Sequence, residues 1–375
     1  MSLKKNILFL TNNLASGGAE KVLVNLVNHI DKTKYNITLR TLMDVGENRQ
    51  YLSDTVTYKS IFKKSFKGIN YLHYLPKRYI YNKVAYGQFD VIVVYLHGVL
   101  TKIVANAPSK QKTIAYLHAN MQNSPFIKSF KSTEKLQSCF KTYNAIVSVS
   151  KSVEDSFKAV SGIEENLHVI YNTFDVAHIK AKATEKLDLE YEQHGKLKLC
   201  AVGSLNKIKG FDRLINALGR IKKEGKSDFI LNIIGKGPEK NYLQQLIKEH
   251  NLQKNIFLIG FKSNPYKYIA KSDLFVSSSL SEGFSSVVAE SVILGVPVFT
   301  TDTPGMKEIL GENNEYGIIV ENNEKALYTG LKKLIQDRSL LKEYKQRVKM
   351  RSSFFSTQKA VKEVEDLLNQ VMESK

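Results

Sequence analysis

A repeating alternation constrains this chain more than any other feature. Short apolar runs of strand type are followed by segments whose apolar residues recur at helical spacing, and the pattern stops once and then starts again. Residues 6–10 read as a buried strand, and Ala19, Val22, Leu23, Leu26, Val27 and Ile30 then lie on one stripe of a helix. Further strands are expected at 37–42, 90–96, 112–117, 145–149 and 168–171, with helices between them. Alternation of this kind builds a parallel sheet covered on both faces. Residues 175–196 are polar and charged and carry no strand pattern, so they read as a linker. After it, 197–202 is a strand, Phe211, Leu214, Ile215, Leu218 and Ile221 mark a helix, and strands follow at 229–234, 256–259, 274–277, 296–300 and 317–320. The end is helical over 325–336, 339–350 and 357–372. Ser356 is placed to cap the last helix, whose stripe is Ala360, Val361, Val364, Leu367, Leu368 and Val371. The expected architecture is α/β, two successive doubly wound domains at 1–178 and 179–355. The amphipathic helix of 356–375 needs an apolar surface and can cross back to the first domain.

At 375 residues there is room for two real cores, and 43% apolar with 24% charged residues is the balance of a globular protein. The longest clean apolar stretch, 91–96, is far short of the ~20 residues that span a bilayer. The apolar run 7–10 stops at Thr11-Asn12-Asn13, too short for a secretory signal core. A cytoplasmic location is therefore expected, consistent with two cysteines, Cys139 and Cys200, far apart in sequence.

The formal charge is +19, from 55 Lys and Arg against 36 Asp and Glu. Such a surplus attracts polyanions: nucleic acid, an anionic membrane face or phosphorylated substrates. Residues 55–89 carry seven basic residues (Lys59, Lys63, Lys64, Lys67, Lys77, Arg78, Lys83) and no acid, interleaved with Tyr58, Phe62, Phe66, Tyr71, Tyr74, Tyr79, Tyr81 and Tyr86. Residues 91–133 are again free of acids, with Lys102, Lys110, Lys112, Lys128 and Lys131. Basic groups mixed with aromatics suit an anionic bilayer surface; the plainer alternative is a solvated face with core aromatics.

In open α/β sheets ligands bind beyond the carboxyl ends of the strands, and four loops there stand out. Ser16-Gly17-Gly18-Ala19-Glu20 follows the first strand, with paired glycines that allow close backbone approach and a helix N-terminus that offers amides to an anion. Gly203-Ser204-Leu205-Asn206-Lys207-Ile208-Lys209-Gly210 opens a helix with two lysines able to neutralise a diphosphate. Gly235-Lys236-Gly237-Pro238 follows a strand but lacks the third glycine of a dinucleotide fingerprint, as does the first loop, which weakens a nicotinamide-dependent oxidoreductase or epimerase. The most specific is Ser281-Glu282-Gly283-Phe284-Ser285-Ser286-Val287-Val288-Ala289-Glu290, then Gly295-Val296-Pro297-Val298. Glu282 lies in a loop and can accept from sugar hydroxyls; Glu290 lies in a helix and can accept from ribose hydroxyls. No D-x-D pair and no His/Cys cluster with metal-ligand spacing occurs in the sequence. A basic nucleic-acid-binding protein would explain the charge, but no recognisable module appears.

Taken together these stretches resemble the retaining glycosyltransferases of family-4 type, group 1 glycosyl transferases with the GT-B fold. The match runs through Gly17-Gly18-Ala19-Glu20, His97 and His118 at strand ends, Val149-Ser150-Lys151, Tyr171-Asn172, Lys209-Gly210, Gly235-Lys236-Gly237, the Glu282/Glu290 pair and the closing segment 354–368. The resemblance implies two Rossmann-like domains facing across a cleft, the nucleotide in the second and the acceptor mostly in the first. It implies transfer of a hexose or N-acetylhexosamine from a nucleoside-diphosphate sugar, most simply a UDP-sugar, to a saccharide or lipid-linked acceptor in surface glycan biosynthesis. The missing D-x-D pair supports metal-independent transfer with no cofactor, and the basic, aromatic window suits work at the inner face of the cell membrane. His118, Lys209 and Glu282 would be catalytic. The nucleotide-sugar would touch Gly17, Gly18, Ser204, Lys207, Lys209, Gly235, Gly237, Phe261, Glu282, Gly283, Phe284, Ser285, Ser286 and Glu290. One position departs from the family pattern: an Arg usual in the loop after the second domain's first strand is Ser204 here. Either Lys207 replaces it, or Lys209 and the helix N-termini suffice.

Overall fold

The computed structural model describes residues 3–15, 17–64, 68–122, 124–187 and 195–374. Ser16, Phe66 and Lys67, named above, lie outside these. The chain divides into two compact units, Met1–Phe174 with Ser356–Lys375, and Asp175–Phe355.

Among its described residues the first unit holds seven strands: β1 Lys5–Thr11, β2 Tyr35–Met43, β3 Thr57–Phe62, β4 Val91–Val94, β5 Lys112–Leu117, β6 Ala145–Ser148 and β7 Leu167–Val169. Every pairing is parallel, in the order β3-β2-β1-β4-β5-β6-β7. The central strands are covered on both faces, so Ile7–Leu10 and Val91–Val94 are continuous apolar runs with almost no exposure. The alternation does not reveal β3. Its sequence TYKSIF mixes polar and apolar residues because it is an edge strand, paired only to β2 and half exposed along its length. The closing helix Thr357–Glu373 belongs to this unit. Its Ser356 hydroxyl receives the Lys359 N–H, and Ala360, Val361, Val364, Leu367, Leu368 and Val371 are buried. Polar contacts fix it: Thr357 Oγ1 donates to the Phe174 carbonyl, the Asp31 N–H to Glu365 (2.8 Å), and the Tyr35 hydroxyl to Asn369 (2.8 Å).

Among its described residues the second unit has six strands: β8 Leu197–Val202, β9 Phe229–Ile234, β10 Ile256–Gly260, β11 Leu274–Ser277, β12 Val298–Thr301 and β13 Ile318–Val320. They are parallel and ordered β10-β9-β8-β11-β12-β13. Its core joins the helix Phe211–Lys223, through Leu214, Ile215, Leu218 and Ile221, to Leu199, Leu231 and Phe299 of the sheet. In this order the chain winds outward from β8 in one direction and from β11 in the other. The crevice between their carboxyl ends is the switch point at which a doubly wound sheet takes a ligand.

Candidate active site

The loops that leave β8 and β11 carry the strongest sequence candidates, and the fold ties them to each other. The Leu280 N–H donates to the Ile208 carbonyl (2.7 Å), and the Ser278 hydroxyl to the Lys209 carbonyl (2.9 Å). Gly210 sits at φ +59°, where a Cβ would stand 2.3 Å from the Ser278 carbonyl oxygen, so the approach requires glycine. Arg213 braces the same place, donating to the Ser278 carbonyl (2.7 Å) and to Asn322 Oδ1 (2.9 Å), while Asn322 donates to the Leu280 carbonyl (3.0 Å).

This bracing brings together two side chains 73 positions apart. Lys209 Nζ lies 2.7 Å from Glu282 Oε1, and the same oxygen accepts from the Ser279 hydroxyl at 2.7 Å. The lysine stem lies flat over Gly203, where an added Cβ would meet Lys209 Cδ and Cε at 3.2 Å. The Lys209 N–H is held by the Asn206 side chain. The pair is neither solvated nor sealed, with 23% and 12% of the two side chains exposed. A partly desolvated ammonium held on two loops at a switch point can meet a diphosphate, and the carboxylate beside it can accept sugar hydroxyls.

The remaining candidates of this unit surround the pair differently. Gly283, Phe284 and Ser285 are buried and lead into the helix Ser286–Ile293. The Ser285 hydroxyl is buried and lacks a hydrogen-bond partner among the described residues, though Ser285 is the N-cap where a hydroxyl commonly accepts an amide. A buried polar group without a partner is costly, so a ligand atom there would be favourable. Glu290 is 3% exposed and accepts from the Tyr266 phenol (3.2 Å), so a ribose hydroxyl would have to be received beside that phenol. Gly235 and Gly237 answer first to the protein. A Cβ on Gly235 would stand 1.8 Å from the Gly203 carbonyl oxygen, and one on Gly237 2.3 Å from that of Leu205. They let the loop after β9 pack against the loop after β8. Phe261 is 43% exposed beyond β10, with Lys236 Nζ 4.7 Å from its ring centroid. Ser204 and Lys207 are exposed.

The first unit has its own switch point, between β1 and β4. Gly17 and Gly18 are exposed and begin the helix Gly18–His29. Glu20 folds back over them: a Cβ on Gly17 would stand 2.1 Å from Glu20 Oε2, and burial raises the pKa of this carboxyl. The protein's own carboxyl group thus occupies the helix N-terminus that the sequence offers to a ligand. His118 follows β5, and its N–H reaches His97 Nδ1 at 3.5 Å. Burial, then the neighbouring His97, lowers the His118 pKa to about 3; burial lowers that of His97 to about 4. Both imidazoles are therefore neutral at pH 7. The His118 ring lies 4.6 Å from that of Tyr95, and its Nε2 is buried with no partner among the described residues. Among the described residues no group of three His, Cys, Asp or Glu side chains converges where it could hold a metal ion.

Four residues that hold the site, Ser279, Tyr266, Arg213 and Asn322, stand outside every motif of the sequence. Each acts through a partner distant in sequence, except Ser279, whose hydroxyl could have been read as a local donor to Glu282 three positions on.

The sequence pattern of Glycosyl transferases group 1 matches residues 185–351, and that of Glycosyltransferase Family 4 matches residues 16–178. The N-acetylgalactosamine-N,N'-diacetylbacillosaminyl-diphospho-undecaprenol 4-alpha-N-acetylgalactosaminyltransferase of Campylobacter jejuni is 36% identical over 214 residues, which cover 56% of this chain and 56% of that protein. The chain thus spans little more than half the length of that relative. An uncharacterized glycosyltransferase of Haemophilus influenzae is 24% identical over 379 residues, covering 98% of this chain and all of that one. Among solved structures, Anabaena Alr3699/HepE in complex with UDP-glucose superposes with a TM-score of 0.78 at 18% identity, covering 98% of this chain and 100% of that one, and S. aureus TarM also shares the fold, with a TM-score of 0.75 at 13% identity over 100% and 99%. With both of its units matched, the chain belongs to the group 1 glycosyltransferases of family-4 type, with the GT-B fold.

Proposed function

We propose that the chain transfers a hexose or N-acetylhexosamine, with retention, from a UDP-sugar to a hydroxyl of a saccharide or lipid-linked acceptor in surface glycan biosynthesis, at the cytoplasmic face of the membrane. The observation that carries this reading is the Lys209–Glu282 pair at the switch point of the second unit. The Anabaena structure's UDP-glucose and the diphospho-undecaprenol in the Campylobacter enzyme's name support the donor and acceptor classes.

In this mechanism the bond from the anomeric carbon to the diphosphate breaks while the acceptor oxygen bonds to the same face of that carbon. The acceptor proton passes to an oxygen of the departing diphosphate. The protein supplies position and charge. Lys209 turns from Glu282 toward the oxygens on which negative charge grows, and the amides at the start of the helix Ser286–Ile293 add partial positive charge. Glu282, released from the lysine, accepts a sugar hydroxyl, and Glu290 with Tyr266 holds the ribose. His118, being neutral, offers a hydrogen bond at Nε2 and no charge. Lysine and amides stand where another design would use a divalent ion, so no metal or other cofactor is required.

The test is turnover of a panel of nucleotide-sugars, with the product's anomeric configuration read by NMR and the reaction repeated in excess EDTA. Retention from a UDP-sugar, undiminished by chelator, is expected. Inversion, or activity abolished by EDTA and restored by Mg²⁺ or Mn²⁺, would overturn the mechanism.

A further inference from the structure

The sequence marks residues 55–89 as a basic and aromatic stretch, but the fold divides it. Tyr58 donates to Asp44 Oδ1 (2.9 Å) and lies under Arg49, Tyr81 is buried, and Lys83 sits 5.1 Å from the Phe62 ring. Tyr86 stacks on the buried Arg40 guanidinium at 3.6 Å. These side chains are used within the protein.

Among the residues left exposed is one short surface. Residues 74–79, Tyr-Leu-Pro-Lys-Arg-Tyr, are six exposed residues in succession. Tyr71 is 68% exposed, Tyr74 69%, Leu75 42% and Tyr79 58%. The Tyr71 and Tyr74 rings lie 6.2 Å apart, nearly parallel. Four large exposed apolar side chains within nine residues are unusual on a surface that meets only water. The segment is anchored from beneath: Leu72, Ile80 and Val84 are buried, and Arg40 donates to the Val84 carbonyl at 2.7 Å. Charge identifies the counterpart. Lys77 and Arg78 lie inside the exposed run, and no acidic residue occurs over 55–89 or 91–133. Lys102 adds to the same region, since its charge, after burial, helps lower the pKa of His73 beside Tyr74.

We propose that Tyr71, Tyr74, Leu75 and Tyr79, with Lys77 and Arg78, form a docking surface for an anionic lipid bilayer. The rings and Leu75 enter the headgroup boundary, and the two cations meet lipid phosphates. This deepens the preceding reading, resting on its lipid-linked acceptor. The surface lies on the segment that follows β3 toward β4 in the unit that the resemblance gives to the acceptor.

The experiment is sedimentation of the full chain with vesicles of phosphatidylcholine alone or with phosphatidylglycerol added. Binding to the anionic vesicles only, weakening as salt rises, is expected. Lys77→Glu with Arg78→Glu should lower partitioning at least roughly thirtyfold, the factor equivalent to about 1 kcal/mol for each lost cation. Tyr71→Ser with Tyr74→Ser and Tyr79→Ser should weaken it at unchanged charge. Lys342→Glu with Lys345→Glu, the same charge change on exposed positions of the second unit, should leave it within about twofold. All variants should keep the far-ultraviolet spectrum and the turnover of a water-soluble acceptor. Equal binding to both vesicles, binding to neither, or equal loss in the Lys342/Lys345 control would overturn the proposal. Vesicle binding with this residue dependence, but without turnover of any nucleotide-sugar, would support the docking surface while rejecting the transfer reading.

Discussion

Glu282 Oε1 receives two donors at 2.7 Å, the Lys209 ammonium and the Ser279 hydroxyl, and the lysine comes from a different strand's loop. A carboxylate so held is oriented before any ligand arrives, and the ammonium is kept beside it at the switch point of the second unit. Glu282→Gln keeps the shape and loses the charge. Loss of a charged hydrogen bond costs roughly 1.5–3 kcal/mol, or about ten- to hundredfold in kcat/KM. The melting temperature should move little, because a part-exposed ion pair contributes at most about 1 kcal/mol. Rates near wild type would reject the role of Glu282.

Glu290 and Tyr266 make a separate prediction. Glu290→Gln leaves an oxygen that can still accept the phenol, so the fold should survive while donor affinity falls about tenfold or more. Tyr266→Phe removes the donor and leaves a carboxylate buried with less support, so it should destabilise by roughly 1–3 kcal/mol in urea unfolding. Unchanged donor affinity in Glu290→Gln would remove this carboxylate from the site.

The histidines predict a pH dependence. His118 and His97 have folded pKa values lowered to about 3 and about 4, below the ordinary value of about 6.5. The unfolded chain therefore binds more protons between about pH 6.5 and these values. Their contribution to stability is fully present above pH 6.5 and is lost as pH falls through that window. Urea unfolding should show stability falling below pH 6.5 by at most about 1.4 kcal/mol per pH unit for each imidazole. His118→Gln should flatten the slope, and an unchanged slope would show that His118 is not held neutral by the fold.

Gly210 predicts a backbone effect. An alanine there meets both φ +59° and the Ser278 carbonyl, so Gly210→Ala should cost on the order of 1–3 kcal/mol. Its donor KM should rise, since the strain separates the loops that carry Lys209 and Glu282. A Gly210→Ala protein with wild-type stability and KM would contradict the bracing described here.

Much of this was readable from the chain. The strands of both sheets' centres show as apolar runs because they are buried on both faces, and the restart after residue 196 marks the second sheet. β3 was not readable, because an exposed edge strand has neither a continuous apolar run nor strict alternation. The Lys209 and Glu282 loops were legible as residue types beyond strand ends. Their pairing was not, since it depends on β8 and β11 being neighbours although two strands separate them in sequence. The glycines after β9 also answer a packing need that their spacing does not show, since a Cβ there would meet the carbonyls of Gly203 and Leu205. The basic window was legible as composition, but only burial separates Tyr58 and Tyr81 from Tyr71, Tyr74 and Tyr79.

The central claim is that the switch point of the second unit binds the diphosphate of a nucleotide-sugar through Lys209. Calorimetric titration of UDP into the wild-type chain and into Lys209→Ala tests it most directly. The account predicts saturable binding to the wild type, weakened about tenfold or more in a variant that remains folded. Equal affinity in the two proteins would contradict it.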